Sequence, residues 1–209
     1  MKKYSILFTI LTVLLLSACK EAPTTCPPSA LDVIMARTSI RSFTGEPVSK
    51  EQLETLLKAG MAAPTAMNVQ PWRFVVVTDK EKIAQVFGSG FRGEMFTQAG
   101  AVIVVCGQTT FMRKPFGQPD APETEQPNMF WYEDCSAAAQ NILLAATAQG
   151  LGAVWTAGYP AMERVTPIAA ALGIPEGIVP LCIIPVGVPA ENPEPKDKWK
   201  PENIHWEQW

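Results

Sequence analysis

Between Met129 and Gln149 the chain carries a helix-length run whose middle, Ala137-Ala138-Ala139-Gln140-Asn141-Ile142-Leu143-Leu144-Ala145-Ala146, is apolar around most of its circumference. A helix of that kind must be covered on more than one side. It is therefore either the central helix of a layered core or a helix that also packs on a second subunit. Gly150 supplies its C-terminal stop. Three apolar runs, Phe74 to Val77, Ala101 to Cys106 and Val179 to Val188, read as buried strands, with a short strand at Ala153 to Thr156. Ser49 with Gln52 forms a capping box ahead of a helix from about Lys50 to Ala59, closed by Gly60. Asp79 caps a helix through Phe87, and a further helix runs from Met162 to Leu172 before Gly173. Mixed strands and helices in this order imply one α+β domain.

The N-terminus has a different logic. Lys2 and Lys3 precede an apolar run from Ile6 to Leu16, and Leu16-Ser17-Ala18-Cys19 follows. That is the anatomy of a secretory signal, and its run is well short of the roughly 20 residues that span a bilayer. Small residues followed directly by cysteine resemble the bacterial lipobox, so residues 1–18 are expected to be removed and Cys19 to carry lipid. Residues 19–30 are a polar, proline-rich spacer. The folded body is 31–209. The expected location is the cell envelope, on a membrane through the lipid at Cys19, at a periplasmic or outer-membrane face.

Without the leader's two lysines, fifteen basic side chains face twenty acidic ones. A mildly acidic body with no basic run argues against nucleic acid as a partner. Cys26, Cys106, Cys135 and Cys182 show no CxxC spacing, so no metal site is expected. Cys106 and Cys182 fall inside apolar runs and read as inert buried thiols. Residues 111–127 hold four prolines and read as a loop that could cover a site. The tail from Pro189 carries Trp199, Trp206 and Trp209, whose indole area argues for a wrap over a neighbouring surface. The single histidine, His205, lies in this tail and reads as structural.

Chemistry concentrates in separate clusters. Arg37-Thr38-Ser39-Ile40-Arg41-Ser42-Phe43 places two guanidinium groups beside hydroxyls, donors suited to phosphate oxygens. Ala62-Ala63-Pro64-Thr65-Ala66-Met67-Asn68-Val69-Gln70-Pro71-Trp72 sets Asn68 and Gln70 among small residues that let a flat ligand approach the backbone. Standing alone, the first is more often a solvated helix end and the second a connecting loop.

Together they resemble the nitroreductase family of flavoproteins, whose chains open with Arg-x-Ser-x-Arg-x-Phe/Tyr and continue with Ala-Pro-Ser-x-x-Asn-x-Gln-Pro-Trp. The likeness extends to Gly150-Leu151-Gly152 and to Lys196-Asp197-Lys198 before the tryptophan-ended tail. It implies the nitroreductase-like fold, a central mixed, mainly antiparallel sheet flanked by helices, in a homodimer with FMN at the subunit interface. By the same resemblance Arg37, Ser39 and Arg41 would hold the phosphate and ribityl chain, with backbone from Thr38. Pro64, Thr65, Ala66, Asn68 and Gln70 would face the cofactor, the loop arriving from the partner. Ala157 and Gly158 would pass beside the ring, and Lys196 with Lys198 would close on the phosphate. Thr65 stands for the usual serine, Lys198 for a common arginine, and Ala157 where some relatives carry an acid. The implied activity is hydride transfer from NADH or NADPH, or from an envelope donor, through FMN to a nitroaromatic, quinone or similar small acceptor, with no catalytic triad or essential acid. The competing reading is an envelope lipoprotein that binds flavin or another planar ligand without turnover.

Overall fold

The computed structural model describes residues 28–90, 92–115 and 117–209. The leader, Cys19 and Cys26 lie outside the described residues. Helix α1 spans Ala30–Ala36 and α2 spans Lys50–Met61. Strand β1 (Trp72–Val77) precedes α3 (Lys80–Phe87), α4 (Gly93–Gln98) and β2 (Ala101–Gln108). A hairpin of β3 (Thr110–Arg113) and β4 (Thr124–Pro127) leads to α5 (Trp131–Ala148). Then come β5 (Gly152–Ala153), β6 (Thr156–Ala157), α6 (Met162–Leu172) and β7 (Ile178–Gly187).

The main sheet runs β1-β2-β7-β5, with β6 also paired to β7. The expected mixed sheet is not seen: every strand pair among the described residues is antiparallel. Side chains of β2 alternate between two cores. Ala101, Ile103 and Val105 face the layer of α2 and α5, with Leu56, Ala138, Ile142 and Ile184. Val102, Val104 and Cys106 face α3, with Val77, Ile83 and Phe87. Burial on both faces is why β2 is a continuous apolar run rather than an alternating one.

Helix α5 is the central helix its composition demands. It buries Cys135, Ala138, Ala139, Ile142, Leu143 and Ala146, and Gly150, left-handed at φ +70°, follows its end. Helix α2 begins at the expected capping box, with Gln52 N donating to Ser49 Oγ at 3.2 Å and Ser49 N to Gln52 Oε1 at 3.1 Å. Gly60 does not end this helix, which continues to Met61. Its hydrogen faces α5 instead, where an added Cβ would lie 3.1 Å from Ile142 Cδ1. Close approach of two helices, not termination, requires the small residue.

Three further expectations change. The 111–127 segment is not all loop, because β3 and β4 pair from Thr110↔Pro127 to Arg113↔Thr124. The single short strand after α5 is two pieces, Gly152 and Ala153 on Gly187 and Val186, then Thr156 and Ala157 on Ile183 and Cys182. The tail does not bury its indoles within the chain: Trp199, Trp206 and Trp209 are 71%, 80% and 98% exposed. Trp209 stacks on His205 at 4.1 Å between ring centroids, its one aromatic partner among the described residues. Among the described residues no helix is long and apolar enough to cross a membrane.

Candidate anion and cofactor site

The segment after α1 is held open by strand-like bonds rather than by helix. Ile40 N donates to Ala153 O at 3.1 Å and Thr44 N to Val188 O at 3.0 Å, while Phe43 bridges Pro189. Ala190 N returns a bond to Ser42 O at 2.9 Å. These bonds lay the start of the tail along residues 40–44. Glu191 then fastens it, its Oε1 accepting from the backbone N–H of both Arg41 and Ser42.

This anchoring brings together residues about 150 positions apart. Arg37, Thr38, Ser39, Arg41, Lys196 and Lys198 line one cavity of about 360 Å³, together with Glu191, Pro193 and Glu194. Four cationic groups and two hydroxyls are a donor set for an anion. The carboxylate of Glu191 is engaged with backbone amides at its margin, and Arg41 Nη1 bonds to Ser39 O at 3.3 Å.

Two clefts extend from this seat. Arg41 also lines a cleft with Ser42, Arg92 and Met95. Arg92 in turn lines a larger cavity, about 620 Å³, whose walls include Phe87, Phe96, Ala157, Ile168 and Ile183. By shared residues the charged seat thus adjoins a chamber beside Ala157, in which these apolar walls stand with Arg92, Glu163 and Arg164. Gly158 is buried, and its N–H is spent on Leu181 O at 2.9 Å. A Cβ there would meet Pro180 O at 3.0 Å, so the glycine permits close packing on β7.

None of Pro64, Thr65, Ala66, Asn68 and Gln70 lines these cavities. They form a separate loop on a short helical turn at Ala66–Asn68, with three non-glycine residues in left-handed backbone: Met67 (φ 53°), Asn68 (φ 56°) and Gln70 (φ 53°). Such conformations persist only where their surroundings over-determine them. Gln70 N donates to Thr65 Oγ1 at 3.2 Å and Gln70 Nε2 to Asn68 Oδ1 at 2.9 Å. Ala66 N donates to Asp134 Oδ1 at 2.9 Å and Arg73 Nη1 to Gln70 O at 3.2 Å. Met67 lines a smaller cavity of about 260 Å³ with Phe111, Arg113, Lys114 and Phe130.

Arg92, Glu191 and Asp134 are the additions that sequence reasoning missed. Arg92 is a lone cation in the glycine-rich stretch Gly88-Ser89-Gly90-Phe91-Arg92-Gly93, a signal open to reading. Glu191 and Asp134 carry no such signal, because each matters through a partner far away in sequence. The three described cysteines are poor nucleophiles: burial pushes the thiols of Cys106 and Cys135 up to about 12, and that of Cys182 is also raised. All three are free and buried. Among the described residues no group of three or more His, Cys, Asp or Glu side chains could hold a metal.

An antiparallel sheet sandwiched by helices, with a cationic seat near a partly apolar chamber, defines an α+β protein with a site suited to a phosphorylated planar ligand. Residues 34–89 and 85–188 match the Nitroreductase family, and the chain belongs to that family. A Methanothermobacter thermautotrophicus protein, named provisionally as an NADH dehydrogenase/NAD(P)H nitroreductase, is 38% identical over 179 residues, covering 86% of this chain and 87% of the relative. A crystal structure of a protein named in the same provisional way from Bacteroides thetaiotaomicron superposes with a TM-score of 0.76 at 41% identity, covering 88% of this chain and all of the other. The NADPH:FMN oxidoreductase of Vibrio harveyi, solved with NAD+, gives a TM-score of 0.69 at 29% identity, covering 86% of this chain and 77% of that one.

Proposed function

We propose that this chain is an FMN-dependent oxidoreductase that takes reducing equivalents from NADH or NADPH and passes them to a small acceptor such as a nitroaromatic or quinone. The observation that carries the reading is the convergence of Arg37, Thr38, Ser39 and Arg41 with Lys196 and Lys198 on one cavity. Kinship to FMN- and NAD(P)H-using relatives supports it. The donor set fits the FMN phosphate. The guanidinium groups of Arg37 and Arg41 would pair with phosphate oxygens, and Lys196 and Lys198 would add charge from the tail without a guanidinium's two-pronged geometry. The chamber by Ala157 would shield the ring from water. When bound, the flavin supplies the redox chemistry, accepting a hydride and later giving it up. The residues of this chain bind, orient and desolvate.

Pro64, Thr65, Ala66, Asn68 and Gln70 complete the site in a homodimer, each copy lending this loop to the other. The separation of the loop from the seat within one chain supports this arrangement.

The test is an absorbance spectrum of the purified protein, followed by NADH or NADPH under anaerobic conditions. Flavin bands that bleach are expected. FMN should bind far more tightly than riboflavin, and Arg41→Ala should lower that preference roughly tenfold to a hundredfold, since a charge-assisted bond contributes about 1.5–3 kcal/mol. Equal affinity for the two flavins would sink the phosphate assignment. Bound flavin that neither nucleotide bleaches would favour the ligand-binding lipoprotein or an envelope donor.

The N-terminal sequence supports an envelope address, with lipid on Cys19 holding the protein to a membrane at a periplasmic or outer-membrane face. Full-length protein from its bacterial host is expected in the detergent phase on phase partition, and a Cys19→Ser chain in the aqueous phase. A wild-type chain found in the aqueous phase would overturn the anchor.

A further inference from the structure

Asp134 does something that the flavin reading does not use. It sits in the first turn of α5, 6% exposed, and its Oδ1 accepts the Ala66 N–H at 2.9 Å. Its Oδ2 is buried with no hydrogen-bond partner among the described residues. An unsatisfied buried carboxylate oxygen is costly, and a core position with no further role would be better filled by an apolar side chain. Burial accordingly pushes the carboxyl above the usual range, against the lowering by the Ala66 N–H, with Glu133 raising it further.

What the carboxylate holds is the unusual part. Ala66 opens the turn in which Met67, Asn68 and Gln70 all take left-handed backbone. The bonds inside that turn, Asn68 N to Thr65 O, Val69 N to Ala66 O and Gln70 N to Thr65 Oγ1, tie the loop only to itself. Three bonds tie it to the body: Arg73 grips the Gln70 carbonyl at its exit, Arg113 Nη1 donates to Met67 Sδ at its middle, and Asp134 grips the Ala66 amide at its entry. Of the three grips, Asp134 is the buried one and the one that holds backbone at the entry. It fixes the loop to the rigid helix whose other residues form the core.

We infer that Asp134 is a positioning residue for the cofactor-facing loop: its carboxylate, anchored on α5, holds Ala66 so that residues 65–70 keep the strained shape in which they meet the flavin. The inference rests on the flavin reading for its consequence and not for its geometry, so two measurements separate the two.

The first is hydrogen exchange on the full-length protein without cofactor. In Asp134→Ala the amides of Ala66 to Gln70 should exchange at least tenfold faster, while those of β2 and α5 beyond its first turn stay protected. Asp134→Asn, whose amide oxygen can still accept from Ala66, should recover most of the protection. The second is the FMN dissociation constant, which should rise roughly tenfold in Asp134→Ala and return toward wild type in Asp134→Asn. The FMN-over-riboflavin preference should not change in either, because the phosphate seat is untouched; a variant that was merely misfolded would lose it. Ala66→Pro provides a route that leaves α5 intact: it removes the donor N–H after Thr65, whose extended backbone tolerates a following proline, and should weaken FMN as Asp134→Ala does. Unchanged exchange in Asp134→Ala, unchanged FMN affinity in Ala66→Pro, or an Asn variant as impaired as Ala would each overturn the inference. A wild-type protein that binds no FMN would defeat the flavin reading, and the exchange result would still judge the anchor.

Discussion

Gly152 has no room for a methyl group, since an added Cβ would lie 2.6 Å from Ile40 Cγ2 and 2.8 Å from Ile40 Cβ. Ile40 is buried between Ser39 and Arg41, and its N–H is held by Ala153. Gly152→Ala must therefore push the arginine segment outward. It is expected to lower stability by about 1–3 kcal/mol, in the range of other overpacking changes, and to weaken FMN as well. Thermal unfolding and flavin titration of the same protein check this; a variant with unaltered melting and affinity would show that Ile40 yields freely. At this scale the sequence was legible where a residue's neighbours in space are its neighbours in the chain. Arg37, Ser39 and Arg41 could be read together because they fall within five consecutive residues, so their donors stay close whatever the backbone does. Lys196 and Lys198 could be attached to them only through family resemblance. Glu191 and Asp134 were invisible, because a glutamate in a proline-rich tail and an aspartate in a helix's first turn are ordinary until the groups they accept from are known.

Elements with a local signal were read nearly to the residue. The capping box at Ser49, the Asp79 cap (its Oδ1 accepting from Lys82 N at 2.7 Å) and left-handed Gly173 after α6 each rest on bonds within a few positions. Strands β2 and β7 were legible because burial on both faces makes them nearly continuous apolar runs, and β1 through its stretch from Phe74 to Val77. The misreadings have the opposite cause. Strand β4 is polar and largely exposed, and half-buried β3 sets Phe111 and Met112 side by side, so no alternation marks either. The edge piece after α5 breaks into β5 and β6 because Val154 and Trp155 leave β7 between them, a matter of register on a strand 30 positions away. Gly60 was taken for a stop because a glycine at a helix end and a glycine at a helix crossing look alike until the second helix is in place.

For the whole molecule, the unclaimed apolar surface is the guide. Leu31 and Met35 on α1 are 68% and 72% exposed, and Trp206 and Trp209 of the tail more so. Large apolar groups left bare in this number are characteristic of an interface, and the homodimer proposed above would cover them with a second copy. A chain ending at Ala190 is therefore expected to lose dimerisation and, with Lys196 and Lys198, most of its preference for FMN over riboflavin, while keeping the core that α2, α5 and β2 build. Light scattering with flavin titration reads both effects. A truncated chain that stays dimeric and keeps the preference would assign the interface and the phosphate to other residues. The same tail also sets a clock. Because the seat joins residue 37 to residue 198, it cannot be complete until the tail has left the ribosome, so a ligand that needs both ends meets a chain already synthesised through Lys198 and cannot guide the folding of its first half.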